Sequence, residues 1–242
     1  VVVIGAGSAG CVVASRLAED PNKSVLLLEA GPDYPEFQHY PDDLKYGYKP
    51  DASAMGAPHN WSWVAKGSAT QTETIPAPRG KVVGGTSAIN GQVLLRGVPE
   101  DYDGWAAEGN DEWSYTKVLP YFRKLETDLD IAGDFHGTTG PILVTRHKQE
   151  TWLPLQRAFH SACLAAGYRD DPDMNNPDAE GVGAIPLNYV DSIRVSTAIG
   201  YINPCRNRLN LTIKPNVTAH RVIFQGKQAV GVSVESGGEM FE

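Results

Sequence analysis

A glycine-rich turn between two apolar segments near the start of the chain most restricts how it can fold. Residues 1–4 are a β-branched apolar run, which is typical of a buried parallel strand. Residues 5–10 have the glycine spacing G-x-G-x-x-G, and residues 11–17 are small and apolar, which predicts a helix. Residues 25–28 are a second apolar run, so the segment predicts a β-α-β unit with parallel strands.

This turn has the features of a dinucleotide site. Gly5 permits the tight turn, Gly7 leaves room for a pyrophosphate, and Gly10 lets the helix pack closely on the strand. The helix N-terminus offers free N–H groups and a partial positive charge to phosphate. Glu29 follows Gly10 by about 20 residues, the offset of an acid that binds ribose hydroxyls. Its charge disfavours the 2′-phosphate of NADP. A glycine-rich turn with a surface glutamate is the alternative interpretation.

A second glycine-rich segment, residues 78–91, narrows the choice of cofactor. Its paired glycines allow the backbone to lie flat against a ligand, and the Thr86-Ser87 pair can donate hydrogen bonds to phosphate or ribityl oxygens. Asn90 can donate and accept at the edge of a heteroaromatic ring. A glycine-rich surface loop is the alternative.

The remaining sequence predicts a mixed set of helices and strands. Residues 31–79 are rich in Pro, Tyr and Trp and predict a long functional or docking loop. Trp61 and Trp63 in this segment could equally be core residues that anchor the loop. Helices are predicted at 101–108, 114–126 and 152–166, and Pro120 would interrupt the second of them or lie near its first turn. Strands are predicted at 142–145, 211–214, 221–225 and 229–235. Hairpin turns at 226–227 and 237–238 would make the end of the chain a β-meander.

With these motifs the chain resembles the glucose–methanol–choline (GMC) flavin oxidoreductases, and most of all their choline-dehydrogenase-like members. The resemblance extends over essentially the whole chain. It departs from the family at Leu94, where an aromatic residue or Ala is usual, and at Ser192, which is often Gly. The segments that carry it are residues 5–10, 29–31, 80–97, 101–106, 113–115, 119–122, 194–198 and 216–217.

The resemblance implies non-covalent FAD rather than NAD as the cofactor. Residues 5–10 would hold the pyrophosphate, Glu29 the adenosine ribose and the Val217 backbone the adenine, with residues 90–93 near the isoalloxazine. Non-covalent attachment is expected because residues 84–93 include no His, Cys or Tyr. The residues expected to bind the cofactor are Gly5, Gly7, Ser8, Ala9, Gly10, Glu29, Ala30, Val82, Gly84, Gly85, Thr86, Ser87, Asn90, Gly91, Gln92, Val93 and Val217.

The fold implied by the resemblance is α/β. A Rossmann-type FAD-binding domain would occupy residues 1–140 and 206–242, and an α+β substrate domain, incomplete in this chain, would begin in residues 141–205. The implied reaction is oxidation of a small alcohol, with a base taking the hydroxyl proton and hydride passing to flavin N5. Oxygen or a quinone-like carrier would accept the electrons.

No catalytic residue is assigned. The chain opens inside an apolar strand and stops after a hairpin-like pattern, which indicates a fragment, and the family's catalytic His is expected beyond it. None of the six His residues matches that motif, and each is predicted to be a surface or loop residue: His39, His59, His136, His147, His160 and His220.

Two alternative functions stay open. One is a hydroxynitrile lyase-like relative that contains FAD, and the other is a cofactor-binding fragment or subunit that has no activity alone and pairs with a second polypeptide carrying the C-terminal half. A plain NAD dehydrogenase is disfavoured by the second glycine-rich segment.

Charge and cysteine content restrict the partners. The formal net charge is −8, so no general basic field attracts nucleic acid or an anionic membrane. The three Cys residues are far apart and predict neither a disulfide framework nor a metal site. They favour a reducing compartment, the cytoplasm.

Overall fold

The computed structural model describes residues 1–49 and 51–242, which form two compact units. The first unit comprises Val1–Gly91 and Ser192–Glu242, and the second comprises Gln92–Asp191. Each unit mixes helices and strands, as the sequence predicts. The chain therefore leaves the first unit and later returns to it.

The strands are short except for two long ones near the end of the chain. They are β1 (Val2–Ile4), β2 (Val25–Leu28), β3 (Trp63–Ala65), β4 (Ile75–Ala77), β5 (Glu126–Asp128), β6 (Ile142–Val144), β7 (Tyr189–Val190), β8 (Ile193–Arg194), β9 (Leu211–Lys214), β10 (Val217–Gln225), β11 (Gln228–Ser236) and β12 (Glu239–Phe241). The α-helices are α1 (Ser8–Leu17), α2 (Asp42–Lys45), α3 (Pro99–Ala107), α4 (Tyr115–Leu125), α5 (Pro154–Ala165) and α6 (Asn203–Cys205), and a π-helix spans Ala198–Ile202.

A parallel three-stranded sheet in the order β1-β2-β9 organises the first unit. Its β1-α1-β2 segment is the predicted β-α-β unit, with Val3 opposite Leu27 in parallel register. The middle strand β2 is mostly buried, because β1 and β9 pair with its two edges and α1 packs against it. The prediction of burial is wrong for Val2 and Ile4, which are about half exposed because β1 is an edge strand.

The predicted β-meander follows the parallel sheet. Strands β10, β11 and β12 pair antiparallel in sequence order, and the predicted hairpin turns at residues 226–227 and 237–238 connect them. Gly226 has a φ of +63°, which a two-residue hairpin turn favours. Strand β10 begins at Val217, earlier than the predicted residue 221, so it follows closely after the end of β9.

Residues 31–79, predicted as a loop, contain real secondary structure. Helix α2 contributes Leu44 to an apolar cluster with Tyr40, Val82 and Ile89. Strands β3 and β4 form an antiparallel hairpin. The pattern is hidden in the sequence because each strand has only three residues and Pro76 lies within β4.

The second unit contains α3, α4, α5 and the parallel pair β5-β6. Helix α4 continues through Pro120, for which the sequence predicts either an interruption or a place near the first turn. The compact units do not divide where the predicted domains do, because residues before 140 pack with those after it: Glu126 pairs with Ile142. The assignment of residues 1–140 and 206–242 to a cofactor domain stays a prediction.

Candidate functional site

A cavity of about 330 Å³ lies in the first unit beside the glycine-rich turn. It is situated where β1 and β2 end and α1 begins, the position at which parallel sheets bind ligands. Eight residues of the expected cofactor set line it: Gly5, Gly7, Ser8, Glu29, Ala30, Gly85, Thr86 and Val217.

The three glycines of the first motif differ in what surrounds them. A Cβ on Gly10 would overlap the carbonyl oxygen of Gly5, so close helix–strand packing explains this glycine. A Cβ on Gly7 would meet no protein atom within 4 Å, and Gly7 has a φ of −78°, which any residue adopts. Neither packing nor backbone conformation therefore requires glycine at residue 7, whereas close approach of a ligand would require it.

The start of α1 supplies hydrogen-bond donors to this cavity. Helix α1 begins at Ser8 and has no side-chain cap, so the first-turn N–H groups are left for another acceptor. No acidic residue lies in that turn. The partial positive charge of the helix end therefore faces the cavity without a side-chain counter-charge from the turn, which suits a phosphate.

Glu29 is built into the site rather than exposed on the surface. It is only 5% exposed, and its Oε2 and Oε1 accept hydrogen bonds from the N–H groups of Ala6 (2.8 Å) and Gly31 (2.9 Å). Burial raises the pKa of the carboxyl group, and the bonds from Gly31 and Ala6 oppose that rise. A carboxylate has about four acceptor positions, so Glu29 can fix the turn and still accept from a ribose.

The second glycine-rich segment packs directly on the first. The N–H of Gly84 donates to the carbonyl of Ala6 at 2.7 Å, and a Cβ on Gly85 would collide with the Cα of Gly7. Gly84 and Gly85 both have positive φ, +103° and +52°. The paired glycines thus bring the two motifs into backbone contact.

Not every expected cofactor residue reaches the cavity. Ser87 is buried, with its Oγ 2.6 Å from the Gly84 carbonyl oxygen and 2.9 Å from Thr197 Oγ1, so its hydroxyl bonds within the protein. Val82 belongs to the apolar core. The others of the first unit that do not line the cavity are Ala9, Gly10, Gly84, Asn90 and Gly91, while Gln92 and Val93 belong to the second unit.

The cavity also has walls that sequence reasoning missed. Trp61, Trp63 and Arg79 line it, and so does the segment that follows Val217. The many aromatic residues in 31–79 were the sequence feature that could have indicated this lining. Trp63 is not a core anchor, since it is 53% exposed.

Buried titratable residues form a separate network in the second unit. His136 is 3% exposed; its Nδ1 lies 3.1 Å from Glu126 Oε1 and 3.2 Å from Asp128 Oδ2, and its Nε2 lies 2.8 Å from Asp173 Oδ2. These hydrogen bonds raise the pKa of His136 to about 10. Against the raising effect of burial, bonds from His136, from two backbone N–H groups and from Arg146 hold the pKa of Asp128 well below its usual range.

The geometry of this network resembles a metal site, but its charges are already matched. Ligand atoms of Glu126, Asp128 and His136 lie within 4.8 Å of one another. Arg96 pairs with Glu126 at 2.6 Å, and Arg146 with Asp128 at 2.9 Å. Two guanidinium groups and the imidazolium therefore offset the carboxylates, and the sequence prediction of no metal site stays a prediction.

The prediction that every His is a surface or loop residue is wrong for His160, which is buried within α5. His59 and His136 lie in loops, as predicted, but they too are buried. His160 lies in α5 and bonds to Asp170, while His59 lies 2.7 Å from the hydroxyl of Tyr34. Local sequence did not reveal this burial because the partners are remote along the chain.

A larger cavity, of about 480 Å³, lies in the second unit. Its walls are mostly apolar side chains, including Trp152, Leu155, Phe159 and Ile185. It lacks the combination of helix N-terminus, open glycine and buried acid that the smaller cavity has. The smaller cavity is therefore the candidate site.

The β-α-β unit, the open glycine and the buried acid together define an α/β protein with a dinucleotide-type site. The profile of the GMC oxidoreductase family matches residues 1–241, and the chain belongs to that family. This confirms the family resemblance, and with it the flavoprotein class and FAD as the cofactor of the family. Within residues 1–49 and 51–242, no helix is both long and apolar enough to cross a membrane.

Similar proteins share nearly all of this chain. It is 41% identical over 239 residues to an uncharacterized GMC-type oxidoreductase in the thcA 5′ region of Rhodococcus erythropolis, covering 99% of this chain and 47% of that protein. It is 37% identical over 241 residues to the oxygen-dependent choline dehydrogenase of Vibrio vulnificus, covering 99% and 42%. The crystal structure of pyridoxine 4-oxidase from Mesorbium loti matches with a TM-score of 0.88 and 30% identity, covering 99% and 46%. The chain thus spans less than half the length of these relatives.

Proposed function

We propose that this chain forms the FAD-binding part of a flavoenzyme that oxidises the CH–OH group of a small alcohol. The observation that carries the proposal is the open space at Gly7, because neither packing nor backbone conformation requires glycine there. The helix start and Glu29 line the same cavity. In this proposal residues 1–140 and 206–242 serve a Rossmann-type FAD domain, and residues 141–205 begin a substrate domain.

Each part of the site has a defined role in the proposal. Gly7 and the first N–H groups of α1 bind the pyrophosphate, and Glu29 accepts from the adenosine ribose. The backbone at Val217 contacts the adenine. Bound FAD supplies a hydride acceptor, while this chain's residues bind and orient it.

The proposed partners are a small alcohol and an electron acceptor such as oxygen or a quinone-like carrier. The name of the Vibrio vulnificus relative combines choline with oxygen, which supports this pairing. No observation supports a second polypeptide that carries the C-terminal half. A cytoplasmic location remains a prediction from cysteine usage.

The test is to purify the protein, load it with FAD and add alcohols without oxygen. Binding of FAD supports the proposed cofactor role, and bleaching of the flavin by choline or a primary alcohol supports the proposed oxidation. Because no catalytic base is assigned in this chain, bound flavin that stays unbleached is expected from the chain alone. In a protein that also contains the family's catalytic His, the same result favours the lyase-like alternative. Absence of FAD binding contradicts the proposal altogether.

Non-covalent attachment of FAD is a separate expected result. Residues 84–93 carry no imidazole, thiol or phenol that could form a flavin bond. Acid precipitation of the loaded protein should therefore leave the yellow colour in the supernatant. A yellow pellet that yields a flavin-bearing peptide would contradict this.

Glu29→Ala is expected to weaken FAD binding by roughly ten- to a hundredfold, because a hydrogen bond to a carboxylate contributes about 1.5–3 kcal/mol. The buried bonds to Ala6 and Gly31 add a second effect, since their N–H groups lose their acceptor. We expect the free energy of unfolding to fall by about 1–3 kcal/mol.

Titration calorimetry with FAD and urea unfolding measure the two effects of Glu29→Ala separately. The exposed Glu239→Ala in β12 is the control and should change neither. Unchanged FAD affinity in Glu29→Ala would remove this carboxylate from the site.

A further inference from the structure

Two of the tryptophans that line the candidate site form a stacked pair. The ring centroids of Trp61 and Trp63 lie 5.3 Å apart with an interplanar angle of 26°, and both side chains line the cavity. The ammonium group of Lys81 lies 4.7 Å from the Trp61 ring centroid, a cation–π contact. The pair is therefore a defined aromatic surface and not two independent side chains.

Buried polar contacts hold this surface in place. Asn60 is 7% exposed; its Nδ2 donates to the carbonyls of Ser53 and Ala54, and its Oδ1 accepts from the N–H groups of Ser62 and Arg79, all at 3.0 Å. The N–H of Trp61 donates to the Arg79 carbonyl at 2.9 Å. The turn that carries the tryptophans is thus tied to the start of the second glycine-rich segment.

Packing alone does not account for Trp63. This side chain is large and apolar, yet it is 53% exposed and lines the cavity. The same cavity is lined by Glu29, suited to a ribose, and by Val217, where the adenine is expected. A planar base beside these residues would meet the indole surface.

We propose that Trp61 and Trp63 form an aromatic wall that stacks against the adenine base of the dinucleotide and so contributes to binding of the adenosine half of the cofactor. This inference rests on the proposed FAD-binding function and adds a determinant of how tightly the nucleotide half is bound. Indoles suit the task because every base presents a flat π face, and the pre-stacked pair loses little side-chain freedom on binding.

ADP is the probe that tests the wall, because it has the adenosine half and lacks the flavin ring. We expect Trp63→Ala and Trp63→Leu to weaken ADP binding by roughly ten- to a hundredfold, as loss of base–aromatic stacking does. Trp63→Phe keeps a ring and should stay within about threefold of the wild type. Titration calorimetry measures the affinities, and far-UV circular dichroism confirms folding.

Trp113→Ala is the matched control. Trp113 is 52% exposed and contacts Trp105 edge-on, but it belongs to the second unit. This control should bind ADP as the wild type does. If Trp63→Ala does not fold, the Leu and Phe variants carry the test, since they differ in the aromatic ring while both fill the site.

Wild-type affinity for ADP in Trp63→Leu overturns the inference, and so does equal weakening in the Phe and Leu variants. FAD binding by the wild type is measured in parallel. If the wild type binds FAD and Trp63→Leu still binds ADP normally, the wall is refuted while the proposed function stands. If the wild type binds neither FAD nor ADP, both fail.

Discussion

Gly7→Ala is expected to leave the protein folded and to lower its affinity for FAD by roughly a hundredfold or more. The added methyl group meets no protein atom within 4 Å, and the backbone at residue 7 has a φ of −78°, which alanine adopts without strain. It enters the space in which the pyrophosphate must approach the N-terminus of α1. Displacement of the phosphate would lose more than one charge-assisted hydrogen bond, each contributing about 1.5–3 kcal/mol.

Gly10→Ala is the matched comparison, because the same methyl group is added three residues further on. There it overlaps the carbonyl oxygen of Gly5, a backbone atom that cannot move without breaking the turn. We expect the free energy of unfolding to fall by about 3 kcal/mol or more, with FAD binding lost as a consequence. Alanine is otherwise the better helix former, so a loss of stability identifies the clash.

The pair of variants separates ligand contact from packing. Urea unfolding gives stability, and titration calorimetry gives FAD affinity. Destabilised Gly7→Ala would show that protein atoms close over this glycine. Unchanged FAD affinity in a folded Gly7→Ala would exclude the space beside Gly7, at the N-terminus of α1, as the pyrophosphate site.

His136→Gln is expected to reduce the free energy of unfolding by about 3–5 kcal/mol, the cost of removing one partner from a buried ion pair. The imidazolium lies among Glu126, Asp128 and Asp173, and both ring nitrogens face carboxylate oxygens. A neutral amide leaves those carboxylates with less positive charge in a site where water cannot replace it.

The effect of His136→Gln should depend on pH in a defined direction. The pKa of His136 is raised from 6.5 to about 10 in the folded protein, so its stabilising contribution is complete below pH 6.5 and is lost as pH rises through 10. The stability difference between wild type and variant should shrink by about 1.4 kcal/mol per pH unit within that window. At acid pH it should shrink again as Asp128, whose pKa is lowered, becomes protonated.

Urea unfolding between pH 2 and pH 11 measures this difference, and His147→Gln is the control. His147 is exposed and belongs to the same unit, so its replacement should change the stability by no more than about 0.5 kcal/mol. A His136→Gln effect that is constant across alkaline pH would show that the imidazole is neutral in the folded protein.

Features with local causes could be read from the sequence. The β1-α1-β2 unit follows from two apolar runs around a glycine-rich turn, and the meander follows from alternating strands with glycine at the hairpins. These patterns act over a few residues, so no knowledge of distant partners is needed. The acid at residue 29 was found in the same way, from its offset to the turn.

The tertiary structure alone decided which residues of the motifs face the cavity. Ser87 and Thr86 are neighbours in the same segment, yet Thr86 lines the cavity while Ser87 bonds to Thr197, 110 residues away. Likewise His136 is buried because Asp173 and the β5 carboxylates converge on it. Burial and charge matching are sums over long-range neighbours, whereas strand periodicity and turn chemistry are written in consecutive residues. The chain's own sequence therefore determined the β-α-β scaffold of the candidate site, and only folding determined its stacked tryptophans and the buried ion network of the second unit.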